Sequence, residues 1–154
     1  MEDDYYTPPE ATVALLKYLE GKKVKLDKVT ALEPCYGVGH IAGVLEEYKM
    51  EVIKRDKYTL PESHDILETP IPSKAQAIIT NPPYGIKYDI IEWAYRSKLP
   101  WAMLLPFDIV ITIKGQRIFQ NHPYTYIIPS PKVNFVRKSG KVACVGVMAW
   151  FIGN

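Results

Sequence analysis

The chain has 154 residues, 47% of them hydrophobic and 23% charged, which excludes a disordered segment and provides enough apolar material for a core. That length suits one domain and leaves no room for a second of ordinary size. A net charge of +2 without any Lys/Arg block permits a polyanionic partner but does not demand one.

In chain order, Thr7-Pro8-Pro9-Glu10 predicts a helix start, with Thr7 as N-cap, Pro8 at the first helical position and Glu10 closing a capping box. The helix runs to Glu20 and stops at Gly21. Residues 22–28 read as a solvated connection and 29–32 as a strand, which leads into Glu33-Pro34-Cys35-Tyr36-Gly37-Val38-Gly39. A helix over 40–48 follows, then strands at 51–55 and 76–80, with a polar, Pro-rich loop over 60–73 between them. Helical spacing returns at 88–96, and 101–105 is a buried strand candidate closed by Pro106. A helix over 108–119 conflicts with the β-branched run at 109–113. A short strand is expected at 124–128. Residues 132–136 and 142–151, joined through Lys138-Ser139-Gly140, read as a terminal hairpin. Alternating strands and helices with that hairpin predict an α/β fold with a mostly parallel sheet and an antiparallel pair at its end.

Cys35 and Cys144 lack CxxC spacing, and His40, His64 and His122 lack ligand spacing, so no metal is expected. Reduced thiols, an acidic Met1-Glu2-Asp3-Asp4 start and no apolar run of membrane length point to a soluble cytoplasmic protein.

Three signals fall at predicted strand ends, where open α/β sheets bind ligands. Gly37-Val38-Gly39, with Ala42, fits G-x-G-x-x-A between a strand and a helix. Asp56 lies 19 positions after Gly37, where a ribose-binding acid sits in dinucleotide folds. That pair alone does not separate a nicotinamide dinucleotide from S-adenosylmethionine, and a structural turn is an equal alternative. Glu33 and Pro34 favour the latter, because an anion there suits a cationic sulfonium amino acid and repels a pyrophosphate. Asp65 could accept from the adenine amino group of that cofactor, or be a solvated loop acid. The third signal is Asn81-Pro82-Pro83-Tyr84. An Asn side chain and a proline-restrained carbonyl both accept hydrogen bonds from an exocyclic amino group, and Tyr84 supplies a face for a base.

Together these motifs resemble the Rossmann-like, S-adenosylmethionine-dependent amino-methyltransferases that modify adenine at N6 in DNA. Tyr6-Thr7-Pro8 looks like the family's N-terminal cofactor segment, and the run from Glu33 to Gly39 like its glycine loop. Asp56 looks like its ribose acid, and the tetrapeptide at Asn81 like its catalytic motif. Pro131-Lys132-Val133-Asn134-Phe135 and the closing hairpin resemble the end of small phage and prophage adenine methyltransferases, of the kind met in restriction-modification. The resemblance implies a cytoplasmic enzyme of a bacterial or phage-infected cell, with an adenine that is flipped from DNA or presented single-stranded. Sequence-specific members carry a further target-recognition domain for which this length leaves no room. Low specificity, or specificity from a partner or a homodimer, is therefore implied. Phe135 is the candidate for the second face of the base, with core packing as the alternative, and Lys132 and Arg137, with Lys138 and Lys141, are candidates for phosphate contacts or form a solvated basic turn. The same tetrapeptide also occurs in enzymes that methylate RNA bases or a protein glutamine. A catalytically silent subunit of a methyltransferase complex is a further alternative.

Overall fold

The apolar runs of the sequence become a six-stranded sheet with helices on both faces in the computed structural model, which describes residues 5–143 and 146–154. Met1–Asp4 and Cys144 with Val145, on which the acidic start and one thiol were read, lie outside the described residues. The main-sheet strands are β2 (Thr30–Glu33), β3 (Glu51–Lys54), β4 (Ala77–Thr80), β5 (Trp101–Pro106), β6 (Tyr124–Ile127) and β9 (Met148–Gly153). Their order is β3-β2-β4-β5-β9-β6, parallel from β3 to β5 and antiparallel where β9 pairs with β5 and β6. The helices are α1 (Pro9–Gly21), α2 (His40–Glu47), α3 (Lys87–Ser97) and α4 (Ile113–Phe119).

Period-two alternation divides the core between the faces of the sheet. Ala31, Ile79, Ala102, Leu104 and Trp150 pack with Leu15, Leu16 and Leu45 of α1 and α2. Their strand neighbours Leu32, Ile78, Met103, Leu105 and Phe151 pack with Ile90, Ile91 and Ile118 of α3 and α4. Trp150 binds one layer to another: its indole N–H donates to the Ala11 carbonyl of α1 at 2.7 Å.

Three sequence expectations change. Helix α1 begins at Pro9 with Pro8 as its cap residue and no side-chain cap, so Thr7 and Glu10 form no capping box. Thr7 is instead 5% exposed and turned towards the tetrapeptide. The expected helix at 108–119 divides into a 3-10 turn, Phe107–Ile111, and α4. Thr112 caps α4 by accepting from Gly115 N at 3.1 Å, which suits the β-branched residues before it to a non-helical path. Gly115 permits that turn, because a Cβ there would fall 1.8 Å from the Ile109 carbonyl oxygen.

The terminal hairpin is the third. β7 (Phe135–Arg137) and β8 (Val142–Ala143) pair with each other and, through β7, with β1 (Tyr5–Tyr6) in a separate three-stranded sheet. The chain then passes Gly146, at φ +72°, and enters the main sheet as β9 between β5 and β6. Four consecutive buried residues, Met148 to Phe151, mark β9 as an interior strand covered on both faces. No helix among the described residues is long and apolar enough to cross a membrane.

Trp101 is as deeply buried as Trp150, yet among the described residues its indole N–H has no hydrogen-bond partner. Both Trp→Phe substitutions remove similar volume, but only Trp150→Phe breaks a buried bond. Urea unfolding is expected to show Trp150→Phe costing roughly 1–2 kcal/mol more than Trp101→Phe.

Candidate active site

The parallel strands β2, β3 and β4 end side by side, and the chain leaves β2 towards β3 on one flank while β4 lies on the other. This reversal opens a crevice at the carboxyl ends. Asn81 follows β4 directly, Asp56 lies just past β3, and residues 34–39 join β2 to α2.

The glycine loop is held by its own backbone and by Asp56. Gly37 and Gly39 have φ of +58° and +90°, and a Cβ at Gly39 would meet the Tyr36 hydroxyl at 2.6 Å. Any other residue at Gly39 would be strained at this φ and would require the Tyr36 side chain to shift. Tyr36 N donates to the Arg55 carbonyl at 3.0 Å, and Gly37 N to Asp56 Oδ2 at 2.8 Å. Asp56 Oδ1 accepts from Tyr58 N at 2.7 Å and Thr59 N at 3.0 Å. Three backbone donors thus occupy a carboxylate that has about four acceptor positions, which leaves room for one further donor.

Glu33 departs from the charged acid expected at the loop. It is 1% exposed and accepts from the Thr80 hydroxyl and from Cys35 N, the latter at 3.0 Å. Burial pushes its carboxyl up to about 8, against those two hydrogen bonds, and the Asp56 charge adds to the rise. At neutral pH it is chiefly a protonated link between the ends of β2 and β4. Burial, then the neighbouring Glu33, also raises the Cys35 thiol far above its ordinary range, so Cys35 is no thiolate nucleophile.

The tetrapeptide closes on itself. Asn81 Nδ2 donates to Thr7 Oγ1 at 3.1 Å, and Asn81 Oδ1 accepts from the Tyr84 hydroxyl at 2.9 Å. Pro82 is buried, and Pro83 in extended conformation enters the 3-10 turn Tyr84–Ile86. The Tyr84 ring packs partly against the α1–α2 core. The Tyr6 ring packs against His40 in a tilted arrangement, 4.7 Å between ring centroids, so the segment Tyr6-Thr7-Pro8 touches both the tetrapeptide and the start of α2.

Other candidate residues lie farther out or elsewhere. Asp65 pairs with Lys57 at 2.6 Å and accepts from Leu67 N; the Lys57 hydrogen bond is the main reason its carboxyl is held below the usual range. It joins Pro34, Leu32, Ile66 and Trp93 around a small recess. Phe135 takes the core alternative and not the substrate one: at 0% exposure, with Tyr5 at 5.9 Å, its ring offers no face to a base. Arg137 lies over the Tyr5 ring at 5.7 Å, and Lys132 is exposed. Sequence reasoning missed Thr80, Tyr36 and the pairing role of His40. Thr80 carried a usable signal, a hydroxyl at the last position of a buried strand.

A sheet wound in this order, with β9 inserted antiparallel and a crevice at the β2–β4 switch point, is a Rossmann-like methyltransferase fold. PH1948 from Pyrococcus horikoshii, provisionally assigned as an RNA methyltransferase, matches with a TM-score of 0.67 and 15% identity, over 99% of this chain and 87% of that one. The 23S rRNA methyltransferase ErmE matches with a TM-score of 0.58 and 14% identity, over 90% of this chain and 66% of that one. A protein from a study of disulfide-to-thioacetal conversion in echinomycin biosynthesis matches with a TM-score of 0.58 and 15% identity, over 95% and 84% of the two chains. No family model and no curated protein matches the sequence.

The raised Glu33 carboxyl has a signature in stability. Because its folded value lies near 8 and its ordinary value at 4.5, its contribution is complete below 4.5 and is lost as pH rises towards 8. The melting temperature of the wild type is expected to fall relative to that of Glu33→Gln between pH 5 and about 8.5. A difference constant across that span would mean that Glu33 ionises normally.

Proposed function

We propose that this chain is a methyltransferase that modifies the exocyclic amino nitrogen of adenine in RNA. The observation that carries this reading is the position of Asn81: its carboxamide stands at the end of β4, in the crevice, between Thr7 and Tyr84. RNA is preferred to DNA because two of the structurally similar proteins are described as acting on RNA. DNA adenine is the second reading, favoured by the order of the motifs from Tyr6-Thr7-Pro8 to the tetrapeptide.

The residues present fit S-adenosylmethionine. The loop from Glu33 to Gly39 carries no Lys or Arg that would receive a pyrophosphate, Gly37 faces open space, and Asp56 retains one acceptor position for a sugar hydroxyl. Glu33, Pro34, Cys35, Gly37, Gly39 and Asp56 would line its site, with Tyr6, Thr7 and Pro8 across the crevice and Asp65 at the recess for its base. When bound, this cofactor supplies a methyl group on a cationic sulfur.

The chain's own work is orientation. The amino lone pair of adenine is delocalised into the ring and is a poor nucleophile until its hydrogens are held out of the ring plane. Asn81 Oδ1 and the Pro82 carbonyl would accept those hydrogens, and Pro83 would fix the direction of that carbonyl. No base is required beforehand, since the nitrogen sheds its proton after gaining the methyl group. Tyr84 would turn its hydroxyl away from Asn81 and stack on the base.

Incubation with methyl-labelled S-adenosylmethionine and, separately, RNA, DNA and cell protein, with products identified by mass spectrometry, tests the proposal. N6-methyladenine in RNA is the expected product. Methyladenine in DNA alone would transfer the reading to its second form, methylglutamine would replace it, and no product with intact cofactor binding would indicate a silent subunit. Asn81→Ala is expected to lower kcat by about 100- to 1000-fold with unchanged cofactor affinity. Tyr84→Phe keeps the ring and is expected to stay within a few-fold of wild type, whereas Tyr84→Ala should lose about 10- to 100-fold in kcat/KM.

A further inference from the structure

Beside the tetrapeptide, the starts of α3 and α4 are joined by a cluster that takes no part in the chemistry above. Tyr88 donates its hydroxyl to Thr112 Oγ1 at 2.9 Å, and Thr112 is the cap of α4, so this ring is fixed between the two helices. Two ammonium groups lie over that one ring: Lys87 Nζ at 4.7 Å and Lys114 Nζ at 5.7 Å from its centroid. Lys87 Nζ also donates to the Tyr84 carbonyl at 3.1 Å, which places one cation against the tetrapeptide itself.

Like charges gathered on one ring repel unless an anion joins them. Among the described residues no carboxylate lies within 4 Å of either, whereas Lys54, Lys57 and Lys74 each have an acidic partner. Asp89 and Asp108, the acids nearest in sequence, are exposed and make no ion pair with these lysines. Ile111 and Ile113, 74% and 70% exposed, flank Thr112 and give the cluster an apolar border. A cationic pair with an apolar margin, beside a site for a planar base, suits a chain of alternating phosphates and nucleosides.

We propose that Lys87 and Lys114, held over the Tyr88 ring, bind the phosphodiester backbone adjoining the target nucleotide. The inference rests on the nucleic-acid reading of the site and adds to it the surface that positions the strand. Lysine serves as a point charge for phosphate, so the contact is insensitive to sequence.

The salt dependence of binding tests this directly. Anisotropy of a labelled, adenine-containing single-stranded RNA would be followed against KCl concentration for the wild type and for Lys87→Ala/Lys114→Ala. Loss of two phosphate contacts is expected to make the slope of log K against log salt shallower by about 1.4. Affinity at low salt should fall at least about tenfold. S-adenosylhomocysteine affinity and melting temperature should match the wild type. Lys87→Arg/Lys114→Arg should keep the full slope, and so should Lys25→Ala/Lys28→Ala, which removes equal charge before β2, at the opposite end of the parallel strands from the crevice. The same loss on a DNA strand would assign the contact to the phosphodiester and not to the ribose. An unchanged slope in the double alanine variant, with RNA bound by the wild type, would overturn this inference and leave the proposed function standing. A wild type that binds neither RNA nor DNA would overturn both.

Discussion

The parallel register of β2 against β3 and β4 determines where chemistry is possible in this chain, because it brings Glu33, the Asp56 turn and Asn81 to one edge of the sheet. Parallel strands must be joined by crossovers, and each crossover returns the chain so that the next strand ends at that same edge. The groups at those ends are tied across the strands. Thr80 bridges to Glu33, Gly37 to Asp56, and Asn81 to Thr7. The first bond is buried and neutral, and it fastens β2 to β4 without leaving an ion in the core. The floor of the crevice is thus tied across the strands, while its rim, formed by the glycine loop and Tyr84, has hydrogen bonds that a ligand could exchange for its own.

The hydrogen bonds of that rim are internal to the chain. The acceptor on Asn81 that an amino group would use is satisfied by Tyr84, and the other end of the same carboxamide is satisfied by Thr7. Exchange of one hydrogen bond for another costs little, because donor and acceptor counts balance. A half-buried Asn left without either partner would be costly, and the Tyr84 and Thr7 bonds keep this side chain paired. Asp56 shows the same economy: its carboxylate holds the loop in shape through backbone donors while one position stays open.

Much of this was legible in the sequence where the signal is local. The glycines, Asp56 and the tetrapeptide were read at strand ends because each lies within a few residues of the strand that positions it. Thr7 was misread as a helix cap because its partner, Asn81, is distant in sequence and nothing near Thr7 signals it. Phe135 fitted either a substrate contact or the core, and its burial follows from β7 pairing with β1 across nearly the whole chain. The terminal hairpin forms, as β7 and β8, but its second strand is shorter than the sequence suggests, for a related reason. Val142 to Phe151 reads as one strand until Gly146 is seen to redirect the chain, and the wholly buried run from Met148 is the clue that β9 is interior. Glu33 was placed correctly but its charge was not, since protonation depends on burial supplied by neighbours remote in sequence.

The central claim is that one crevice, between the ends of β2, β3 and β4, receives the cofactor. Amide hydrogen exchange with and without S-adenosylhomocysteine reads that claim residue by residue. Protection is predicted in residues 33–40 and 54–60 and at the Asn81 turn, with little change in β6 or in the strands of the small sheet. Protection confined to those latter elements, with none in the glycine loop or around Asp56, would contradict it.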